Sequence, residues 1–392
     1  MQSQKVISSM LFITMFLCLA AAEVISRIFV PNGVHRDKEW RTYSDMMRSD
    51  PVFRRVLVPN YRGRVIGKGI DFSVDINSKG LRDREFPYEK NDGVYRILFV
   101  GDSFIFGYGL EQEQSIPKLL EQKLRVYYEK NIEVINAGIT GWGSSQELDF
   151  IKLEAAKYKP NAIIIGFFLN DVEDTFNITS GIADNIIYWE KTRANRLRTF
   201  FSEWSYFYLF LEDKFRILKR KITATTISFS IPKSIEKPQD TAMVAKEPWS
   251  YTNLYSNWDA VAEKFWELTM RDLLEMNRLS SAIGANTMFV YLPDQFVAGR
   301  VKIDGMVNME KPDQVFFDFM RKNKLHSLNL VPMFKKSSLQ ELYIFDGHFN
   351  DAGSRLAAEE IFLEIRNNEI GAQLNIGSSG RFTPSPCCYK TP

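Results

Sequence analysis

The 392-residue chain has only three cysteines, and none lies between Cys18 and Cys387. The body of the fold therefore has no internal disulfide to draw on, and the adjacent Cys387 and Cys388 cannot staple distant segments. Charge of one sign is missing too: 50 basic residues face 48 acidic ones, for a formal charge of +2. No global field gathers nucleic acid, and no nucleic-acid-binding motif is present. Histidine is scarce, with His35, His326 and His348 the whole supply. No compact His/Cys cluster has metal-ligand spacing, so neither a metal nor a cofactor is expected. Internal repeats are lacking as well. Without staples or repeats, a chain of this length must bury a large apolar core, as one enlarged domain or two.

Long apolar runs are confined to one place. Lys5 is followed by VISSMLFITMFLCLAAA, Val6 to Ala22, with no charge. Its length is long for the apolar core of a signal peptide and sits at the short limit for a membrane span. Ala20 and Ala22 stand at an A-x-A-like cleavage position, yet the run resumes past Glu23 as VISRIFV. Residues 1–30 thus read as a signal-anchor or as a cleaved signal. Both readings export the rest of the chain.

Residues 31–94 read as an N-terminal extension packed on the core domain, in which Pro31, Pro51, Pro59 and Pro87 break any long helix. Phe72 to Asn77 alternates apolar and polar, as a half-buried strand does, before a turn at Ser78-Lys79-Gly80. From 95 to 370 the pattern alternates. RILFV, IEVINAG, NAIIIGFF and NTMFVYL read as buried strands, and Ser115–Lys130, Ser144–Tyr158, the run ending at Gly284 and Asp351–Asn368 read as helices. Such alternation predicts an α/β fold: a parallel sheet with helices on both faces and its site at the carboxyl ends of the strands.

Between about 178 and 255 the alternation stops. Leu197, Phe200, Trp204, Phe207, Leu211, Phe215, Leu218 and Ile222 recur at helical spacing, and residues 191–222 carry nine Lys or Arg against three Asp or Glu. This insertion reads as a helical cap on the sheet domain, or, over 195–222, as an amphipathic helix against an anionic membrane surface. The Gly/Ser/Pro-rich tail, 371–392, is expected to be disordered.

One strand end carries a hydroxyl that invites chemistry. In RILFVGDSF, Gly101 permits a sharp exit and the next turn presents Ser103 at the strand's carboxyl end. Gly-Asp-Ser alone arises by chance in roughly one chain in ten of this length, so placement, not the tripeptide, raises its standing. A serine nucleophile needs a base and oxyanion donors. Gly141, in NAGITGWGSS, can expose a backbone N–H, and Asn170, in FFLND, offers an amide; alternatively the glycine only turns the chain and Asn170 only caps a loop. His348, in FDGHFNDAG, is the candidate base, with Asp346 upstream to orient it; the alternative is a pre-helix turn, where Asp, Gly and Asn belong. His326 sits in an apolar setting and reads as structural.

GDSF at 101–104, NAGITG at 136–141, LND at 169–171 and DGHFN at 346–350 resemble, in order, the four blocks of the SGNH (GDSL) hydrolase superfamily. The resemblance covers Arg96 to Asn177 and Asn286 to Asn367. It implies a flavodoxin-like sheet, Ser103 as nucleophile, His348 as base, and Ser103 N–H, Gly141 and Asn170 as oxyanion donors. The common family pattern puts the triad acid three residues before the histidine, where this chain has Phe345; the D-x-H spacing of Asp346 resembles alginate O-acetyltransferase-like relatives. The extended run through Asn170, with VDINSKGLRDREFP before it, resembles bacterial membrane-anchored members. The expected protein is an exported serine esterase forming an acyl-enzyme on an O-acyl ester of an envelope or extracellular glycan. It would sit on the outer face of the inner membrane, or be secreted if cleaved. An O-acyltransferase using the same centre, or a silent scaffold or sugar-binding protein, are the alternatives.

Overall fold

The structure, a computed structural model, describes residues 2–29, 45–67, 69–179, 260–299, 310–337, 339–344, 347–368, 370 and 372, together with isolated residues between 205 and 258. Two compact units are present, Met1–Gly80 with Phe176–Ser250, and Leu81–Thr175 with Tyr251–Pro392. The extension read as 31–94 is therefore parted at Gly80, and Leu81 to Val94 belongs to the unit that holds the sheet. His35, the tail apart from Ala372, and all but a few residues of the insertion lie outside the described residues.

In the first unit, α1 (Gln2–Phe29) contains the one described helix long and apolar enough to cross a membrane, Met10–Ile28. Near its end Glu23 accepts hydrogen bonds from Ser205 Oγ (2.8 Å), the Phe207 N–H (3.1 Å) and Arg27 Nε (2.9 Å). Two antiparallel hairpins follow, β1 (Met47–Asp50) with β2 (Arg54–Leu57) and β3 (Arg62–Gly67) with β4 (Ile70–Asp75). In β4, Ile70, Phe72 and Val74 are buried while Asp71 and Asp75 are exposed, the period-2 pattern of a strand with one wet face.

The second unit is built on β5 (Tyr95–Gly101), β6 (Ile132–Gly138), β7 (Ala162–Phe167), β8 (Asn286–Tyr291) and β9 (Ser327–Asn329), all parallel, in the order β6-β5-β7-β8-β9. This is the 2-1-3-4-5 order of flavodoxin-like folds, an α/β parallel sheet. Covered strands need continuous apolar runs, and β7 supplies Ile163, Ile164 and Ile165, none with any exposed surface. Burial of each contributes about 1.5–3 kcal/mol. The connecting helices are α2 (Ser103–Phe106), α3 (Ile116–Tyr128), α4 (Ser144–Leu153), α5 (Asn170–Thr179), α6 (Ala260–Ala282), α7 (Lys311–Lys322) and α8 (Asp351–Arg366). Pro117 opens α3 where its missing N–H costs nothing. Gly143 is the cap residue of α4; its N–H donates to Gln146 Oε1 at 3.0 Å. Strand order reverses between β5 and β7, so the crevice for a ligand opens where their carboxyl ends release Ser103 and Asn170.

Candidate active site

Asp102 starts the short helix α2. Its Oδ1 accepts the Phe104 N–H at 2.9 Å, satisfying one donor of the first turn of α2. Ser103 then stands as the first helical residue, so its own N–H has no intrahelical acceptor. The helix ends at once at Gly107, whose left-handed φ of 80° suits glycine. The N–H groups of Gly107 and Tyr108 both donate to the Ser103 carbonyl, at 3.1 and 3.0 Å.

A row of glycines lets this helix lie on the sheet. Gly101 pairs in register with Gly138 on one side and Gly166 on the other. A Cβ added to Gly138 would stand 2.2 Å from the Phe106 nitrogen; one on Gly101 or Gly166 would stand 2.3 or 2.5 Å from Ile105 side-chain atoms. Ile105 thus fills the space that three absent side chains leave.

His348 arrives from far along the chain. Its Nε2 lies 2.8 Å from Ser103 Oγ, across 245 residues of sequence. The loop carrying it is pinned on both sides: Tyr343 bridges Phe349, the Ile344 N–H donates to the His348 carbonyl at 2.8 Å, and Asn350 caps α8 by accepting the Gly353 N–H at 3.0 Å. The imidazole packs against the Phe104 ring (5.0 Å) and the Tyr108 ring (4.8 Å). Ser103 Oγ has a second, longer contact to Asp102 Oδ2 at 3.4 Å. The shorter contact identifies the imidazole as the partner of the hydroxyl.

Of the sequence-predicted site residues, Ser103 and His348 meet. Asn170 opens α5 with its Oδ1 buried and unpartnered and its Nδ2 donating to Asp174 Oδ2 at 3.4 Å. Gly141 lies in the turn after β6 with φ +73°. Asp346 and Phe345 lie outside the described residues. His326 pairs with Glu364 of α8 at 2.7 Å, a structural contact.

Sequence reasoning missed a set of buried carboxyls behind this site. Burial raises the Asp102 pKa, against the pull of the Phe104 N–H, the His348 charge and the Asn170 amide. Burial also raises Glu147 and Asp171 well above the ordinary range, each further raised by its acidic neighbours. Neither Glu147 oxygen has a hydrogen-bond partner, whereas Asp171 Oδ2 accepts the Phe168 N–H at 3.1 Å. With neither oxygen hydrogen-bonded, Glu147 is the carboxyl whose neutral form burial favours without opposition from a donor. Unfolded, it ionises near its ordinary 4.5, while burial holds it neutral to higher pH in the folded chain, so the fold loses stability as pH rises from that value toward the raised folded one. Glu147→Gln should therefore raise the melting temperature, by more in mildly alkaline buffer than in acid. Thermal scans showing a larger gain in acid would contradict this.

No family model matches the chain, and neither does any curated protein. Among solved structures it is similar to a putative lipolytic protein of the G-D-S-L family from Desulfitobacterium hafniense DCB-2, at 13% identity over 69% of this chain and 98% of that one, with TM-score 0.38. It is similar too to the acetylxylan esterase Axe2 from Geobacillus stearothermophilus (12%, 69% and 94%, TM-score 0.40). A third is the psychrotrophic esterase EstA from Pseudoalteromonas sp. (17%, 69% and 97%, TM-score 0.37).

Proposed function

We propose that this chain is a serine ester hydrolase of the SGNH type. The observation that carries the reading is the 2.8 Å approach of His348 Nε2 to Ser103 Oγ at the carboxyl end of β5. His348 takes the hydroxyl proton as Ser103 Oγ attacks the ester carbonyl, and it returns that proton to the departing alcohol. Water, deprotonated by the same imidazole, then attacks the acyl-enzyme carbonyl, and the imidazole gives that proton to Ser103 Oγ as the acid leaves. The Ser103 N–H, the Gly141 N–H and the Asn170 amide hold the oxyanion, and Asp346 orients His348. A fluorophosphonate should label the wild-type protein, with the adduct on the Ser103 peptide by mass spectrometry. Unlabelled protein, or an adduct elsewhere, would remove the reading.

As substrate class we infer an O-acyl ester of an envelope or extracellular glycan, a reading supported by the resemblance to membrane-anchored members and by the exported reading of residues 1–30. Acetate release from O-acetylated glycans, compared with simple aryl esters, tests it; turnover of aryl esters alone would count against a glycan. The anchor reading of residues 1–30 is supported by the apolar Met10–Ile28 span. Alkaline carbonate should leave the intact chain in the membrane pellet, and an N-terminus found downstream of Ala22 would mean cleavage. For the 195–222 insertion, the Glu23 contacts to Ser205 and Phe207 support a place near the membrane surface. A chain lacking residues 1–30 is then expected to sediment with anionic vesicles in low salt and to leave them in high salt. No sedimentation in low salt would dismiss it.

A further inference from the structure

We infer that Arg82 is a positioning residue of this site, aligning Ser103 and His348 through the Phe106–Leu110 turn; the inference rests on the serine reading above. Arg82 has no exposed surface. Its Nη1 donates to the carbonyls of Phe106 (3.1 Å) and Gly107 (2.8 Å), and its Nη2 to that of Leu110 (2.6 Å). The guanidinium also lies 4.8 Å above the Phe106 ring. These carbonyls belong to the last residue of the nucleophile helix and the turn that leaves it, groups a four-residue helix cannot satisfy internally.

The same turn faces the chemistry with its other groups. Its Gly107 and Tyr108 N–H groups hold the Ser103 carbonyl, and the Tyr108 ring packs on the His348 imidazole at 4.8 Å. One five-residue stretch therefore touches Arg82 by its carbonyls, the nucleophile by its amides and the base by a ring. A shift of that stretch misaligns the hydroxyl and the imidazole together.

Arg82 is itself held by a frame that does not involve the serine. Its neighbour Asp83 accepts from Lys118 Nζ of α3 at 2.7 and 2.8 Å and from the Asn136 N–H of β6 at 2.9 Å. Arg84 Nη1 donates to Glu121 of α3 at 2.8 Å. Leu81 to Glu85 is thus fixed to the sheet and α3, and projects Arg82 onto the turn from a rigid base. A guanidinium suits this role because its planar fork reaches several carbonyls at set angles, which an ammonium does not.

The test is a double-mutant cycle on the full chain, read as the fluorophosphonate labelling rate across pH. Arg82→Lys is expected to label about 10²-fold more slowly than wild type, the scale of an ångström-sized misplacement. Tyr108→Leu should lose about tenfold, and methylguanidinium should restore part of the rate to Arg82→Ala. In a His348→Ala background, Arg82→Lys and Tyr108→Leu should each change the residual rate by under threefold, because the alignment they secure no longer has a base. A merely structural role would cost the same factor in both backgrounds, and that result overturns the inference. Labelling within twofold of wild type for both single variants overturns it too. If Arg82→Lys does not fold, Tyr108→Leu in the two backgrounds decides by the same criteria. Wild type that fails to label removes the serine reading and this inference with it; labelled wild type with unaffected variants removes the inference alone.

Discussion

Replacing His348 by alanine should slow fluorophosphonate labelling of Ser103 by about 10³-fold at neutral pH, within the range general-base assistance supplies. A serine hydroxyl is a weak nucleophile at its ordinary pKa and attacks only as an adjacent base removes its proton. The imidazole Nε2 at 2.8 Å is in place to do so, whereas the Asp102 contact at 3.4 Å is long and belongs to a residue already committed to capping α2. Ser103→Ala should abolish labelling outright. Because His348 is only partly buried, its alanine variant should melt close to wild type, which separates lost chemistry from lost fold. A residual rate within tenfold of wild type would show that the proton leaves by another route. Under the proposed role of Asp346 in orienting the imidazole, Asp346→Asn is expected to fall between, at about 10²-fold.

The parts of this architecture that the sequence displayed are those where one residue's type states its environment. Ile163 to Ile165 announce a strand covered on both faces, and Ser103 and His348 are legible because hydroxyl, strand end and a rare histidine coincide. The strand order came from the block resemblance, since nothing in the spacing says that β7 pairs with β5 rather than β6. Nothing in the sequence sets Arg82 and the Asp83–Lys118 pair apart, because their partners include main-chain groups, which composition does not show. Glu147 reads as a polar-face residue of an amphipathic helix, yet it is fully buried.

The glycine row yields the second large effect. Gly138→Ala should cost about 3 kcal/mol, at the upper end for overpacking, and should slow Ser103 labelling by about 10²-fold. Its new methyl would meet the Phe106 nitrogen at 2.2 Å and the Ile105 carbonyl carbon at 2.5 Å, both backbone, so the nucleophile helix must lift off the sheet. Gly166→Ala meets only the Ile105 side chain, at 2.5 and 2.7 Å, before a more distant Leu292 methyl. Trimming that side chain should therefore rescue one variant and not the other. Gly166→Ala with Ile105→Ala is expected to recover most of the labelling rate, while Gly138→Ala with Ile105→Ala stays slow because the backbone clash remains. Equal rescue of both pairs would mean that side-chain volume alone sets the seat of α2. Harmless Gly138→Ala would mean that the helix does not rest on the strand ends at all, and the approach of Ser103 to His348 would then need another support.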